Sequence, residues 1–243
     1  MHRGLFVTGT DTNVGKTVVS AAVMLRYRAE APLKYWKPIQ TGVRDSGFGI
    51  RHPGPNPADD DDTAHVARLS QARDEEIFNR GVRLRDPVSP HLAAQRAGTR
   101  ITVAGVVESL NGIESRTPNS GSRPRWIVEG AGGVLVPINE LETMADLMCA
   151  LDLPVLIAAR SALGTINHTL MTIETLRRRM LRVAGIVMVG EPNDENRMAI
   201  EKYGAAEVIA EMPRFEPLTP DALERWATTA FDRNGVLFVE CLR

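Results

Sequence analysis

The chain of 243 residues is 43% hydrophobic and carries a net charge of −1, which is enough apolar material for one compact domain. The near-neutral charge argues against binding to nucleic acid or to an anionic membrane, both of which need concentrated positive charge. Apolar runs are too short to cross a bilayer and no signal-like leader is present, so we predict a cytoplasmic protein that binds small molecules. Cys149 and Cys241 are far apart in apolar surroundings and are predicted to be reduced core residues.

Short runs rich in Val, Ile and Leu recur along the chain and predict strands buried on both faces. They lie at residues 5–9, 35–37, 126–130, 155–159, 185–189 and 236–240. Segments with helical spacing lie between them, most clearly 164–181, where Ile166, Leu170, Ile173 and Met180 form one face. This alternation predicts one α/β domain over residues 1–243, with a mostly parallel central sheet and helices on both faces. Segments 44–62 and 115–125, rich in Gly, Pro and polar residues, are predicted to be irregular.

The stretch GTDTNVGKT at residues 9–17 joins a predicted strand to a predicted helix, as a phosphate-binding loop does. Backbone N–H groups would contact an anion, Lys16 would reach the terminal phosphates, and the Thr17 hydroxyl would hold Mg²⁺. Five residues instead of four separate Gly9 from Gly15, so we predict a widened loop that exposes Thr10 and Thr12 to a second substrate. The alternative is a plain strand-to-helix turn with a surface lysine. The residues predicted to contact the nucleotide are Asn13, Val14, Gly15, Lys16, Thr17 and Val18.

Four further segments follow this loop in order: KPIQTG at 37–42, PVSPHLAA at 87–94, VEGAGG at 128–133 and LGTINH at 163–168. Together the five segments resemble the dethiobiotin synthetases, ATP-dependent ligases of biotin synthesis with a P-loop NTPase-type three-layer fold. The resemblance implies a reaction of 7,8-diaminopelargonic acid, CO2 and MgATP through a carbamic-phosphoric anhydride, in a homodimer with active sites at the interface. All the reacting oxygens are anionic, so this chemistry requires positioned positive charge more than a proton relay.

The resemblance assigns roles to residues near the ends of the predicted strands. Lys37 would neutralise carbamate and phosphate charge, and it is predicted to be catalytic together with Lys16 and Thr12. Thr12, Lys37 and Thr41 would contact the diamine. Thr41 stands where many relatives have Ser.

Two carboxylates are expected to join Thr17 in a Mg²⁺ site. Glu129 follows the strand WIV, and Asp62 is the best match to the family's second acidic residue. Asp59, Asp60 and Asp61 are interpreted as a solvated acidic helix start. Gly130, Gly132 and Gly133 would let the backbone approach the nucleotide closely.

Three more residues are implied to contact the substrate, and two of them have a local alternative. Ser89 precedes Pro90, so a helix cap explains it equally well. Thr165 and Asn167 would bind the substrate carboxylate across the dimer interface, unless Thr165 is an ordinary helix cap. His91 and His168 are interpreted as structural.

The sequence departs from the family after the strand at 185–189. Relatives commonly have an Asn there that reads the base, whereas this chain has Val189, Gly190 and Glu191. Base contacts would then come from backbone groups, Asn193, or the segment Pro213, Arg214 and Phe215. We therefore expect looser discrimination among nucleoside triphosphates.

Three other interpretations compete with the ligase. A P-loop switch protein of the partitioning type would carry a signature lysine between Gly9 and Gly15, and none is present. A cobyrinic acid synthase relative would need a glutaminase domain, for which the chain is too short. A catalytically dead homologue is disfavoured because Lys16, Thr17, Lys37 and Glu129 are all present.

Overall fold

Strands and helices alternate along residues 2–43, 61–114 and 123–242, the parts of the chain described by this computed structural model. The strands are β1 Gly4–Gly9, β2 Leu33–Trp36, β3 Ile39–Thr41, β4 Ile77–Phe78, β5 Val82–Leu84, β6 Arg125–Gly133, β7 Val155–Arg160, β8 Val183–Val189 and β9 Val208–Met212. The helices are α1 Lys16–Tyr27, α2 Asp62–Leu69, α3 Pro90–Arg96, α4 Val103–Glu114, α5 Met144–Leu151, α6 Thr165–Arg178, α7 Asp194–Gly204 and α8 Pro220–Thr229. Single helical turns occur at Asp74–Glu76 and Phe238–Leu242.

Seven parallel strands form the central sheet in the order β4-β2-β6-β1-β7-β8-β9, and β3 pairs with β5 beside it. Side chains of β1 alternate between two cores. Leu5 and Val7 pack with apolar residues of α1, α2 and α8, whereas Phe6 packs with residues of α3 to α7. This confirms the predicted three-layer α/β fold with helices on both faces of a parallel sheet.

Five of the six predicted strands are found, but the run at 236–240 is helical. Asp232 explains the difference, because its buried carboxylate accepts hydrogen bonds from the N–H groups of Val236 and Leu237, both at 2.9 Å. These bonds start a helical turn that buries Leu237 and Leu242 in the core beside α1. The short strands β3, β4 and β5, and the edge strand β9, were not predicted.

Three predicted core positions are also wrong. Cys149 on α5 is exposed and Cys241 is half-buried, so the cysteines are free but neither is a fully buried core residue. Met180 lies beyond the end of α6 with a φ of 58° and is 94% exposed. The buried face of α6 consists mainly of Thr165, Thr169 and Thr172 with Ile173 and Leu176, a pattern that apolar periodicity misses.

The predicted irregular segments 44–62 and 115–125 fall largely outside the described residues, and so do Asp59 and Asp60. Asp61 precedes α2 and its side chain accepts the N–H of Thr63 at 2.8 Å, which is the helix-start role predicted for it. In the part of the chain that is described, no helix has the length and apolar character needed to span a bilayer.

The contacts of Asp232 give a prediction about stability. Asp232→Ala removes the acceptor for two backbone N–H groups and for the Tyr27 hydroxyl, all in a buried setting. We expect the free energy of unfolding to fall by about 3 kcal/mol, because buried donors are left unpaired. Urea denaturation followed by circular dichroism measures this, with Glu224→Ala on the exposed face of α8 as the control. Equal stability of the two variants would show that Asp232 does not hold the C-terminal turn.

Candidate active site

The loop between β1 and α1 has a backbone that only glycine allows at two points. A Cβ at Gly9 would lie 2.6 Å from the Val14 side chain and 2.8 Å from the Asp11 carbonyl. Gly15 has a φ of 94°, in the left-handed region, and directly precedes α1. The first N–H groups of α1 therefore open toward this loop, as an anion site at a helix N-terminus requires.

Lys16 is 7% exposed, and its ammonium donates to the Asp11 carbonyl at 3.0 Å. Burial, reinforced by the charge of Lys37, lowers the pKa of Lys16 to about 8. The Asp11 carboxylate accepts the Thr12 N–H at 2.7 Å and the Arg160 guanidinium at 2.6 Å. The widened part of the loop is thus held by Arg160, a residue at the end of β7 that the sequence did not single out.

A charge cluster with a buried lysine and a buried glutamate lies beside the loop. Lys37 follows β2, is 3% exposed, and its Nζ lies 2.6 Å from Asp62 Oδ2, 2.7 Å from Glu129 Oε1 and 3.1 Å from the Gly130 carbonyl. Glu129 is fully buried and lies inside β6, beside Val7 of β1, not at the strand end where it was expected. Two carboxylates and a carbonyl thus satisfy all three donors of the ammonium.

The two carboxylates also meet the first turn of α1. The Thr17 hydroxyl lies 3.0 Å from Asp62 Oδ1 and 3.1 Å from Glu129 Oε1. Burial alone would raise the pKa of Asp62, but the charge of Lys37 holds it below its usual value. Burial alone would lower the pKa of Lys37, and the charges of Glu129 and Asp62 outweigh it and raise that pKa. The site therefore combines two carboxylates with a hydroxyl, the oxygen donors that a hard divalent cation prefers.

Three further residues hold this cluster, and the sequence did not reveal them. Tyr35 and Ser20 both donate to Glu129 Oε2, at 2.9 and 3.1 Å. Burial and the nearby Glu129 charge raise the pKa of Tyr35 well above its ordinary value, so its hydroxyl stays a donor. Arg83 donates to the Lys37 carbonyl and to the Thr63 hydroxyl, both at 2.9 Å, and so ties β2 to α2. Tyr35 and Ser20 occur in stretches interpreted only as strand and helix, and Arg83 lies in a strand that was not predicted, so no motif marks any of them.

The three glycines after Glu129 exclude a side chain for different reasons. A Cβ at Gly130 would lie 2.8 Å from the Phe6 ring, and one at Gly132, where φ is 70°, would lie 2.7 Å from Val136. Gly133 is the one of the three whose Cβ would face the phosphate loop, 3.2 Å from the Gly9 carbonyl. Core packing and backbone conformation therefore account for Gly130 and Gly132 without a nucleotide.

The residues predicted to contact the substrate differ in exposure and in their local contacts. Ser89 does precede α3, but its hydroxyl lies 3.0 Å from His91 Nδ1 and makes no capping hydrogen bond. Gly164 takes the cap position of α6, so the alternative of capping by Thr165 is wrong; Thr165 is buried. Thr12 and Asn167 are exposed and Thr41 is half-buried at the end of β3.

The predicted base-contacting residues lie after β8 and β9. Asn193 Oδ1 accepts the Asn196 N–H at 2.8 Å and caps α7, so this oxygen is already used. Pro213 and Arg214 are exposed directly after β9, whereas the Phe215 ring packs on Trp226 with centroids 6.3 Å apart. Val189 borders the phosphate loop, since a Cβ at Gly15 would lie 3.2 Å from it.

Solved structures with this fold include a ParA family ATPase from Chlorobium tepidum, with a TM-score of 0.55 and 12% identity over 100% of this chain and 99% of that one. The septum site-determining protein MinD from Pyrococcus horikoshii, solved with Mg-ADP, gives a TM-score of 0.54 and 13% identity over 93% of this chain and 86% of that one. At such identities the likeness concerns the fold alone.

Relatives found by sequence identify the family of the chain, which the structural likeness does not. A family model described as an AAA domain matches residues 3–222. A protein of Paramagnetospirillum magneticum named ATP-dependent dethiobiotin synthetase is 46% identical over 89% of this chain and 91% of its own length, and one from Brucella ovis with the same name is 36% identical over 96% and 95%. A Bordetella avium protein named biotin biosynthesis bifunctional protein is 40% identical over 93% of this chain but 42% of its own length. With identity of this order over nearly its whole length, the chain belongs to the dethiobiotin synthetase family.

Proposed function

We propose that the chain is an ATP-dependent dethiobiotin synthetase, a cyclo-ligase that converts 7,8-diaminopelargonic acid and CO2 into dethiobiotin in biotin synthesis. Membership in that family supports the activity. The observation that carries the assignment to this site is the cluster of the buried Lys37 and Glu129 with the partly buried Asp62, directly beside the phosphate loop. It supplies fixed charge where phosphoryl transfer needs it.

Thr17, Asp62 and Glu129 would hold Mg²⁺ together with the phosphates of ATP. Their oxygens already converge, with the Thr17 hydroxyl within 3.1 Å of both carboxylates. One or two carboxylates plus substrate phosphates is the usual protein environment of this ion. Bound there, the ion would neutralise charge on the phosphate oxygens.

The residues of the chain would then share three tasks. Backbone N–H groups of Asn13 to Val18 would bind the phosphates, and Lys16 would reach the terminal ones. Lys37 would face the carbamate, whose oxygen attacks the γ-phosphorus as the bond to ADP breaks. The second amine then attacks the carbonyl carbon, phosphate leaves, and the ureido ring closes. Thr12 and Thr41 would orient the diamine.

The activity is tested by incubating the protein with 7,8-diaminopelargonic acid, bicarbonate, ATP and Mg²⁺, and detecting the product by mass spectrometry. We expect dethiobiotin, with phosphate release that depends on the diamine. Phosphate release without dependence on the diamine, and no dethiobiotin, would instead indicate an ATPase switch of the partitioning type.

Lys37→Ala tests the placement of positive charge. We expect kcat to fall by at least about 100-fold, since loss of one group that stabilises developing charge typically has that effect. Lys202→Ala, at an exposed position on α7, is the matched control and should keep full activity. Circular dichroism checks folding of the variant, because removing Lys37 leaves the buried Glu129 carboxylate facing the partly buried Asp62 carboxylate. Turnover near that of the wild type would remove Lys37 from the mechanism.

Recognition of the base is expected to be loose. Val189 offers no hydrogen bond and the Asn193 oxygen caps α7, which leaves the exposed segment of Pro213 and Arg214 and backbone groups. A site with few side-chain hydrogen bonds to the base discriminates weakly, so we expect kcat/KM for ATP, GTP and CTP to agree within about 100-fold. Steady-state rates that favour ATP by more than this would refute the expectation.

A homodimer is the proposed assembly. Leu163 is 99% exposed immediately before α6, and Leu141 is 82% exposed after β6. Leu163 also belongs to the segment 163–168, which the family resemblance places across the dimer interface. We expect the wild type to sediment as two chains and Leu163→Glu to shift it toward one, whereas Val239→Glu, at an exposed apolar residue of the C-terminal turn, should not. A wild-type monomer, or a dimer unaffected by Leu163→Glu, would contradict this interface.

A further inference from the structure

The carboxylate of Glu129 divides its contacts between its two oxygens. Oε1 faces the proposed metal site and accepts from Lys37 at 2.7 Å and from the Thr17 hydroxyl at 3.1 Å. Oε2 accepts from the Tyr35 hydroxyl at 2.9 Å and from the Ser20 hydroxyl at 3.1 Å. One oxygen is thus available to the site while the other is fixed by two neutral donors.

The two donors on Oε2 are not equivalent. Ser20 has one hydroxyl proton, and its oxygen lies 2.9 Å from the Lys16 carbonyl as well as near Glu129. Its proton is therefore shared between two acceptors. The Tyr35 hydroxyl has Glu129 as its one acceptor among the residues that the structure describes. Tyr35 is thus the more constant partner of Oε2.

The position of Tyr35 makes this contact rigid. Tyr35 lies on β2, in register with Ile127 of β6 on one side and Ile77 of β4 on the other, and is fully buried. The two parallel pairings fix its backbone, complete burial confines its ring, and Glu129 lies two residues after Ile127 on the same strand. The hydroxyl therefore reaches the carboxylate from a fixed point in the sheet.

We propose that Tyr35 is a positioning residue: its hydroxyl, assisted by Ser20, fixes Glu129 Oε2 and so directs Oε1 toward Thr17 and Asp62, the side chains that would hold the cation. This inference rests on the proposed Mg²⁺ site. Without the Tyr35 hydroxyl, the carboxylate can rotate about its terminal bond and the oxygen facing Thr17 is no longer fixed. Groups that orient a metal ligand in this way typically change metal affinity by about 10-fold or more when removed.

The test measures binding of ADP by calorimetry, once with saturating Mg²⁺ and once with EDTA, for the wild type and for Tyr35→Phe. We expect Tyr35→Phe to weaken binding of ADP with Mg²⁺ by about 10-fold and to leave binding in EDTA unchanged. Titration of the ADP-bound protein with Mn²⁺, followed by electron paramagnetic resonance, should show the same loss of affinity for the metal. Neither readout depends on turnover.

Tyr27→Phe is the matched control. Tyr27 is also a buried tyrosine whose hydroxyl donates to a carboxylate, that of Asp232, at the C-terminal turn. The control should lower stability and change neither binding constant. Ser20→Ala, which removes the second donor to Oε2, is the second variant should Tyr35→Phe not fold, and we expect it to weaken metal-dependent binding in the same direction.

The outcomes separate the two proposals. If the wild type binds ADP equally with Mg²⁺ and with EDTA, the proposed metal site fails. If the wild type depends on the metal but Tyr35→Phe matches it, or Tyr35→Phe weakens binding equally in both conditions, the positioning role fails while the metal site stands. With an unfolded Tyr35→Phe, unchanged metal dependence in Ser20→Ala overturns the positioning role.

Discussion

The ion pair between Lys37 and Glu129 is the interaction on which the site depends. Both side chains are almost completely buried, and removing two charges from water is costly unless every donor and acceptor finds a partner. Here the partners come from three elements: Asp62 from α2, Thr17 and Ser20 from α1, and Tyr35 from β2. Because the donors and acceptors of this ion pair all need partners, the pair fixes the relative positions of α1, α2, β2 and β6.

Parallel pairing of β1, β2 and β6 brings these groups to the same region of the sheet. Lys16 begins α1 directly after the loop that follows β1, Lys37 is the residue after β2, and Glu129 is paired beside β1. Arg83 then ties the backbone of Lys37 to α2, so that Asp62 faces the ammonium. The ParA family ATPase and MinD share this fold at 12% and 13% identity, so the sheet itself does not specify the reaction. The side chains that surround the phosphate loop specify the reaction.

Much of this arrangement could be predicted because it depends on local patterns. Buried strands, the glycine-rich turn and a lysine at a strand end leave signals in the sequence, and Lys16, Thr17, Lys37, Asp62 and Glu129 do come together. No such signal marks Tyr35, Ser20 or Arg83. A tyrosine in a strand or a serine in a helix cannot be recognised as part of a site until its hydrogen-bond partner is known. The run at 236–240 was misread for the same reason: its helical turn is imposed by Asp232, a residue outside the run.

The central claim is that three separate segments form one cation site beside the phosphate loop. Its most direct measurement is the anomalous scattering of Mn²⁺ in crystals grown with ADP and Mn²⁺ in place of Mg²⁺. The account predicts one peak among the Thr17 hydroxyl and the carboxylates of Asp62 and Glu129, bonded to them directly or through one water. A peak at another place would contradict this prediction. So would a peak that at least one of these three side chains cannot contact either directly or through one water.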